Sequence, residues 1–191
     1  MRNASKSMFV AAALALSGLA GVGVGVGSVA VRAEDNFINE VKLGGLYHDV
    51  PDLWSGFRQE PRSLDVNIEA LLGPHVDILW GTLRPAIGAT INTRGATSKA
   101  YMDARWQIES ASGIFFGIGL GGAVHDGTLA PTDPNRKALG YRYLFHIPGE
   151  LGYRWDGHNS ISIYFEHISN AYTQNYNEGL DAMGVRYGYR F

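Results

Sequence analysis

From residue 64 onward, apolar and polar side chains alternate with a period of two, the pattern of strands that show one face to each of two environments. In SLDVNIEALL, Leu64, Val66, Ile68, Ala70 and Leu72 share one face; Asp65, Asn67 and Glu69 share the other. In LWGTLRPAIGATI, Leu79, Leu83, Ile87 and Ile91 oppose Thr82, Arg84 and Thr90. In AYMDARWQI, Ala100, Met102, Ala104, Trp106 and Ile108 oppose Tyr101, Asp103, Arg105 and Gln107. In IFFGIGLGGAV, Phe116, Ile118, Leu120 and Val124 oppose a run of Gly, and LGYRYLFHI sets Leu139, Tyr141, Tyr143, Phe145 and Ile147 against Arg142 and His146. With a first strand near 38–48 and two more at the chain end, the pattern predicts eight strands.

The expected connections alternate in length. Long ones run near 49–62, 92–97, 125–138 and 170–180, and short turns fall at GPH, ESASG and WDGHN. Long loops at one end and tight turns at the other are the habit of outer-membrane barrels. The polar strand faces carry charges of both signs, Lys42, Asp65, Glu69, Arg84, Asp103, Arg105, Arg142, Glu166 and Arg186. Such charges can pair inside an eight-stranded barrel, whose interior side chains just fill, and are costly against lipid. The predicted fold is therefore all-β, an eight-stranded antiparallel transmembrane β-barrel. The competing architecture is a soluble lipocalin-like barrel, with its apolar face inside. The final strand, in which Met183, Val185, Tyr187, Tyr189 and Phe191 alternate with Gly184, Arg186, Gly188 and Arg190, resembles the terminal signal of bacterial outer-membrane proteins.

The start of the chain changes the picture of where this barrel goes. Arg2 and Lys6 precede a long small-and-apolar stretch, and Val31 and Ala33 occupy the small-residue positions of a cleavage site before Glu34. Residues 1–33 read as a secretory signal peptide rather than a membrane anchor, leaving 34–191 as one barrel domain. Lys and Arg number 16 against 18 Asp and Glu; the leader holds Arg2, Lys6 and Arg32 and no acid, so the remainder has 13 against 18, net −5. A mildly acidic domain gives no reason to expect a nucleic-acid partner. Cysteine is absent, so packing and backbone pairing must hold the exported chain together.

Strand parity singles out candidate chemistry. In ISIYFEHISNA, Ile161, Ile163, Phe165, His167 and Ser169 share the apolar face, whereas Glu166 faces the other way. Counting back from Phe191 in steps of two places Asp181 on the same face of the neighbouring strand. A Ser hydroxyl needs a base, His is the usual base near neutral pH, and a carboxylate fixes the imidazole tautomer. The candidate catalytic residues are thus Ser169, His167 and Asp181, with Glu178, in the preceding loop, as the alternative acid. Asn170 or nearby backbone N–H groups are candidates for holding an oxyanion. A site on the lipid face implies a lipid substrate. The adjacent pair His125–Asp126 falls on opposite faces and carries little weight. His146 reads as interior or interfacial filler and His158 as a turn residue. The Gly run 117–122 has no helix after it to cradle a phosphate and instead makes room inside the barrel.

The motif EHISNA (166–171) followed by NEGLD (177–181) and a terminal aromatic strand resembles the lipid A 3-O-deacylase family. HDG (125–127) and LRPAIGATINTRGATS (83–98) add to the resemblance, which covers most of the chain after the leader. It implies an eight-stranded barrel esterase that removes the 3-position acyl chain from lipid A of lipopolysaccharide. The family's His-x-Ser-Asn falls on His167, Ser169 and Asn170. Its acid, two residues after a Gly, falls on Asp181, where the best-known pattern has Glu. No cofactor and no metal are implied. The expected partners are lipid A or lipopolysaccharide and outer-membrane lipid, with a homodimer left open. Two other classes stay open, a non-catalytic structural or adhesion barrel and a lipid A acyltransferase.

Overall fold

The computed structural model describes residues 31–32 and 36–191; the rest of the expected leader, with the cleavage site before Glu34, lies outside the described residues. Eight long strands follow in order: β1 Ile38–His48, β2 Leu64–Leu72, β3 Gly81–Asn92, β4 Lys99–Glu109, β5 Ile114–His125, β6 Tyr143–Arg154, β7 Asn159–Ser169 and β8 Leu180–Arg190. Each pairs antiparallel with its neighbours in sequence. β8 also pairs with β1, from Ala182↔His48 to Arg190↔Glu40, so the ladder closes into a barrel and leaves no edge in its wall.

The two faces sort as a membrane barrel requires. Leu43, Ile68, Ile87, Met102, Ile118, Leu151, Ile163 and Val185 are exposed on the outside, and Lys42, Glu69, Asp103, Arg105, Glu150, Glu166 and Arg186 are buried inside. This is the reverse of a lipocalin. In the interior, opposite charges are threaded together. Lys42 Nζ lies 2.6 Å from Glu150, Arg186 lies 2.9 Å from Glu150 and 3.2 Å from Glu69, and Arg105 lies 2.7 Å from Glu69. His146 bridges Asp103 at 2.9 Å and Glu166 at 3.1 Å, and Lys99 Nζ reaches Glu166 at 2.7 Å. Buried charges are tolerable only when paired in this way. The Gly run of β5 serves this packing: a Cβ on Gly119 would lie 2.8 Å from Arg105 Nε, and one on Gly121 would overlap Asp103.

The long loops, 49–63, 93–98, 126–142 and 170–179, share one end with the candidate catalytic residues. Three features differ from the periodicity. β6 begins at Tyr143 rather than near Leu139. Leu139 is fully buried with Leu144, Ile168 and Leu180, so an apolar residue that continued the outward count is a loop plug instead. Arg142, expected inside, is exposed on the loop, where its guanidinium donates to the carbonyls of His125 and Gly127. At the other end, the connection after β2 is more than a tight turn. His75–Ile78 extends the hairpin of β3 and also pairs with Val31–Arg32, and Leu79 and Trp80 form its tip with φ of 52° and 60°.

Candidate active site

The site grows out of the β7–β8 ladder. Their register sets His167 directly opposite Asp181, on the outward face that continues Ile163↔Val185 and Phe165↔Met183. Opposed side chains on one face of an antiparallel pair lie within contact reach. Asp181 Oδ1 lies 2.6 Å from His167 Nδ1. With Nδ1 so engaged, Nε2 is the ring nitrogen turned away from the acid. Ser169, two residues on and on the same face, lines the same cleft as His167.

Outward residues at this height would meet lipid or water in a plain barrel, yet His167 is 3% exposed and Asp181 is fully buried. Loop 49–63 covers them. Trp54 lays its indole parallel to the His167 imidazole, with ring centres 4.5 Å apart and planes 8° apart. Ser55 donates its backbone N–H to Asp181 Oδ2 at 2.7 Å, and Val50 donates its own to the Asp181 carbonyl at 3.0 Å. Gly179, at φ +63°, lets the chain turn into β8 beside the imidazole and Ser55; a Cβ there would stand 3.1 Å from His167 Cε1.

The loop is itself anchored by buried charge. Glu60 lies 3.0 Å from His48 Nε2, accepts from Thr97 N–H at 2.9 Å and from Thr97 Oγ1 at 2.7 Å. The other nitrogen of His48 faces Asp65 at 2.8 Å. Burial pushes the Glu60 carboxyl up, but the bonds from His48 and Thr97 outweigh it and hold the group down to about 2. Asp49 accepts the N–H groups of Gln59 and Glu60 and pairs with Lys137 at 2.9 Å. These contacts join three loops into one cap at the site end of the barrel.

The cleft in front of His167 and Ser169 has a volume of about 620 Å³. Trp54, Phe57, Leu120, Phe145 and Ile147 make its walls apolar, and Asn175, Asn177 and Glu178 give it a polar rim. Ala171 and Tyr172 border it in a turn closed by Thr173 N–H to the Asn170 carbonyl at 3.1 Å. Both central residues sit at positive φ, 52° and 60°, which for side chains larger than Gly stores strain right after Ser169 and Asn170. A larger cavity of about 740 Å³ lies at the opposite mouth, among Asp77, Arg84, Glu109 and Arg190, remote from these residues.

The other expected residues fall as follows. Glu178 turns its carboxylate to the backbone N–H of Ala138, tying two loops together. Glu166 is inside the barrel with Lys99 and His146. The Asn170 carboxamide donates to the carbonyls of Leu139 at 2.9 Å and Tyr176 at 2.6 Å, and its backbone N–H goes to Asn177 Oδ1. His125 is buried against the Tyr141 carbonyl, and Asp126 accepts the Ser98 N–H. Sequence periodicity missed Trp54 and Ser55, which lie in a loop without alternation; their only signal was the aromatic at the loop's centre. No group of three or more His, Cys, Asp or Glu side chains disposed to hold a metal occurs among the described residues.

Comparison with known proteins bears on what this geometry serves. A family model described as Lipid A 3-O-deacylase (PagL) matches residues 65–190. The crystal structure of the outer membrane enzyme PagL superposes with a TM-score of 0.58 at 15% identity, covering 78% of this chain and 99% of that one. The crystal structure of Neisserial surface protein A gives a TM-score of 0.49 at 9% identity, over 80% and 96% of the two chains. The Yersinia pestis outer membrane protein Ail in a phospholipid bilayer nanodisc gives 0.45 at 11%, over 80% and 99%. Comparison with functionally curated proteins finds no match.

Proposed function

The chain belongs to the lipid A 3-O-deacylase family, and from that premise we propose that it is a serine esterase, exported by a cleaved leader, that hydrolyses the 3-position acyl ester of lipid A in the bacterial outer membrane. The observation that carries this reading is the 2.6 Å contact between His167 Nδ1 and Asp181 Oδ1, beside Ser169 on one apolar cleft. His167 Nε2 takes the Ser169 proton as Oγ attacks the ester carbonyl. Asp181 keeps the other proton on Nδ1 and stabilises the imidazolium. The protonated His167 then returns its proton to the departing sugar oxygen, and water, activated by the same base, releases the fatty acid. No metal or organic cofactor enters these steps.

The apolar walls of Trp54, Phe57, Leu120, Phe145 and Ile147 suit an acyl chain, and their outward position suits a substrate arriving sideways from the membrane. Asn170 supports the turn beside Ser169 through its two carbonyl partners. A direct part in holding the oxyanion requires one of those bonds to be exchanged when substrate binds; the backbone N–H groups of the 171–172 turn are the other donors at hand.

The test is fatty-acid release from lipid A in mixed micelles by purified protein, followed by mass spectrometry of the lipid. Loss of one acyl mass, absent with Ser169→Ala and with His167→Ala although both barrels assemble, is the expected result. Turnover near normal in either variant overturns the assigned roles, and an unchanged lipid spectrum with the intact protein favours a structural barrel.

A further inference from the structure

Resting on the triad reading above, we propose that Trp54 and Ser55 are positioning residues, and that loop 49–63 is therefore part of the esterase site rather than a surface connection. The loop lies outside the segment matched by the family model, which begins at residue 65. Its hold on the site is nonetheless direct. Asp181 is fastened at two points, its Oδ2 by the Ser55 N–H at 2.7 Å and its carbonyl by the Val50 N–H at 3.0 Å. Since Oδ1 is on His167, both carboxylate oxygens have a fixed partner and the carboxylate has one orientation.

His167 is constrained by two distant parts of the chain. The acid holds Nδ1, the Trp54 indole covers one ring face, and the space beside Cε1 admits no side chain at Gly179 without tightening on the ring. An imidazole pinned only at Nδ1 can still tilt about that bond; a parallel aromatic plate removes the tilt. The plate has a second effect. When His167 takes the Ser169 proton it becomes a cation lying flat on an indole, the ring whose face attracts cations most strongly. Trp54 thus favours the charged intermediate as well as the geometry that leads to it.

A Trp in an interfacial belt has no need of this arrangement. Trp54 is 61% exposed, so its outer part meets the surroundings while one face is committed to His167. Its neighbour Phe57 lies with Lys137 Nζ 4.7 Å above its ring, and Lys137 in turn pairs with Asp49 at the base of the loop. The segment that carries Trp54 is therefore braced on both sides.

The experiment uses the full-length protein in detergent with three variants, Trp54→Leu, Trp54→Phe and Ser169→Ala. Two quantities are read: kcat and KM on lipid A, and the rate at which a fluorophosphonate probe labels Ser169, in which a Ser Oγ–P bond forms and fluoride leaves. Trp54→Leu, which keeps an apolar cover but has no aromatic face, is expected to lower kcat by about 10- to 30-fold, with the labelling rate falling in step and KM little changed. Trp54→Phe is expected to recover most of both rates. A rise in KM with kcat and labelling unchanged makes Trp54 a wall for the acyl chain and nothing more, and overturns the proposal; so does Leu at full rate. Failure of the triad reading looks different, because Ser169→Ala then still labels or still turns over.

Discussion

Asp181→Asn removes one negative charge and changes almost no volume, so its effect can be worked from the hydrogen bonds alone. Both carboxylate oxygens accept, Oδ1 from His167 and Oδ2 from the Ser55 backbone N–H. A carboxamide has one oxygen. The Ser55 N–H can only donate, so the favoured orientation gives it the oxygen and turns the NH2 toward His167 Nδ1. The ring must then accept at Nδ1 and carry its proton on Nε2, where it cannot take one from Ser169. The flipped orientation restores the tautomer but leaves two donors facing each other in a fully buried position, at about 1–3 kcal/mol. In neither orientation does a negative charge remain to stabilise the imidazolium. The expected fall in kcat is about 10³- to 10⁴-fold, near 4–5.5 kcal/mol of transition-state stabilisation. The assay is fatty-acid release from lipid A in mixed micelles, with gel heat-modifiability showing that the barrel has assembled. Glu178→Gln, which keeps an acceptor for the Ala138 N–H, is the companion and is expected within about threefold of the unmodified enzyme. Asp181→Asn within tenfold of full activity, with Glu178→Gln crippled, refutes the reasoning and makes Glu178 the acid.

Three further outcomes follow from particular contacts. Gly179→Ala places a Cβ 3.1 Å from His167 Cε1 at a φ of +63°, so it should cost about 1 kcal/mol in stability and displace the ring, lowering kcat at least about tenfold in the same release assay. Arg186→Leu leaves Glu69 and Glu150 short of a buried partner and should lower barrel stability by about 3–5 kcal/mol, read from the urea midpoint of the refolded protein. Glu60, held down to about 2 against an ordinary 4.5, contributes stability that is full above pH 4.5 and is lost as pH falls toward 2. Protease nicking of loop 49–63 should therefore rise across that window, and Glu60→Gln should flatten the pH dependence by the share that Glu60 supplies.

Most of the barrel was legible because strand parity is a property of the local chain. Alternation in SLDVNIEALL or ISIYFEHIS declares which side chains share a face wherever the strand ends up. The same parity put His167, Ser169 and Asp181 on one face, since β7 and β8 are neighbours in sequence and register fixes their opposition. Where the backbone leaves the sheet, this logic stops. Leu139 continued the outward count of β6, but the chain bends at residues 140–142 and buries it beneath the loops. Trp54 and Ser55 reach the site from a loop anchored through Glu60 to His48 and Thr97, and Ser55 lies 126 residues from the Asp181 it holds. Asn170 is of the right type for an oxyanion donor, yet the carbonyls of Leu139 and Tyr176 claim its amide. Such long-range contacts leave no period in the sequence.

If Ser169 is the nucleophile of a lipid A esterase, peptide mass mapping of fluorophosphonate-treated protein finds the probe there. The expected result is one phosphonyl group, on the peptide containing Ser169, with lipid A deacylation lost in proportion to its occupancy. Full deacylation by protein modified at Ser169, or inactivation with the group on another residue, would contradict it.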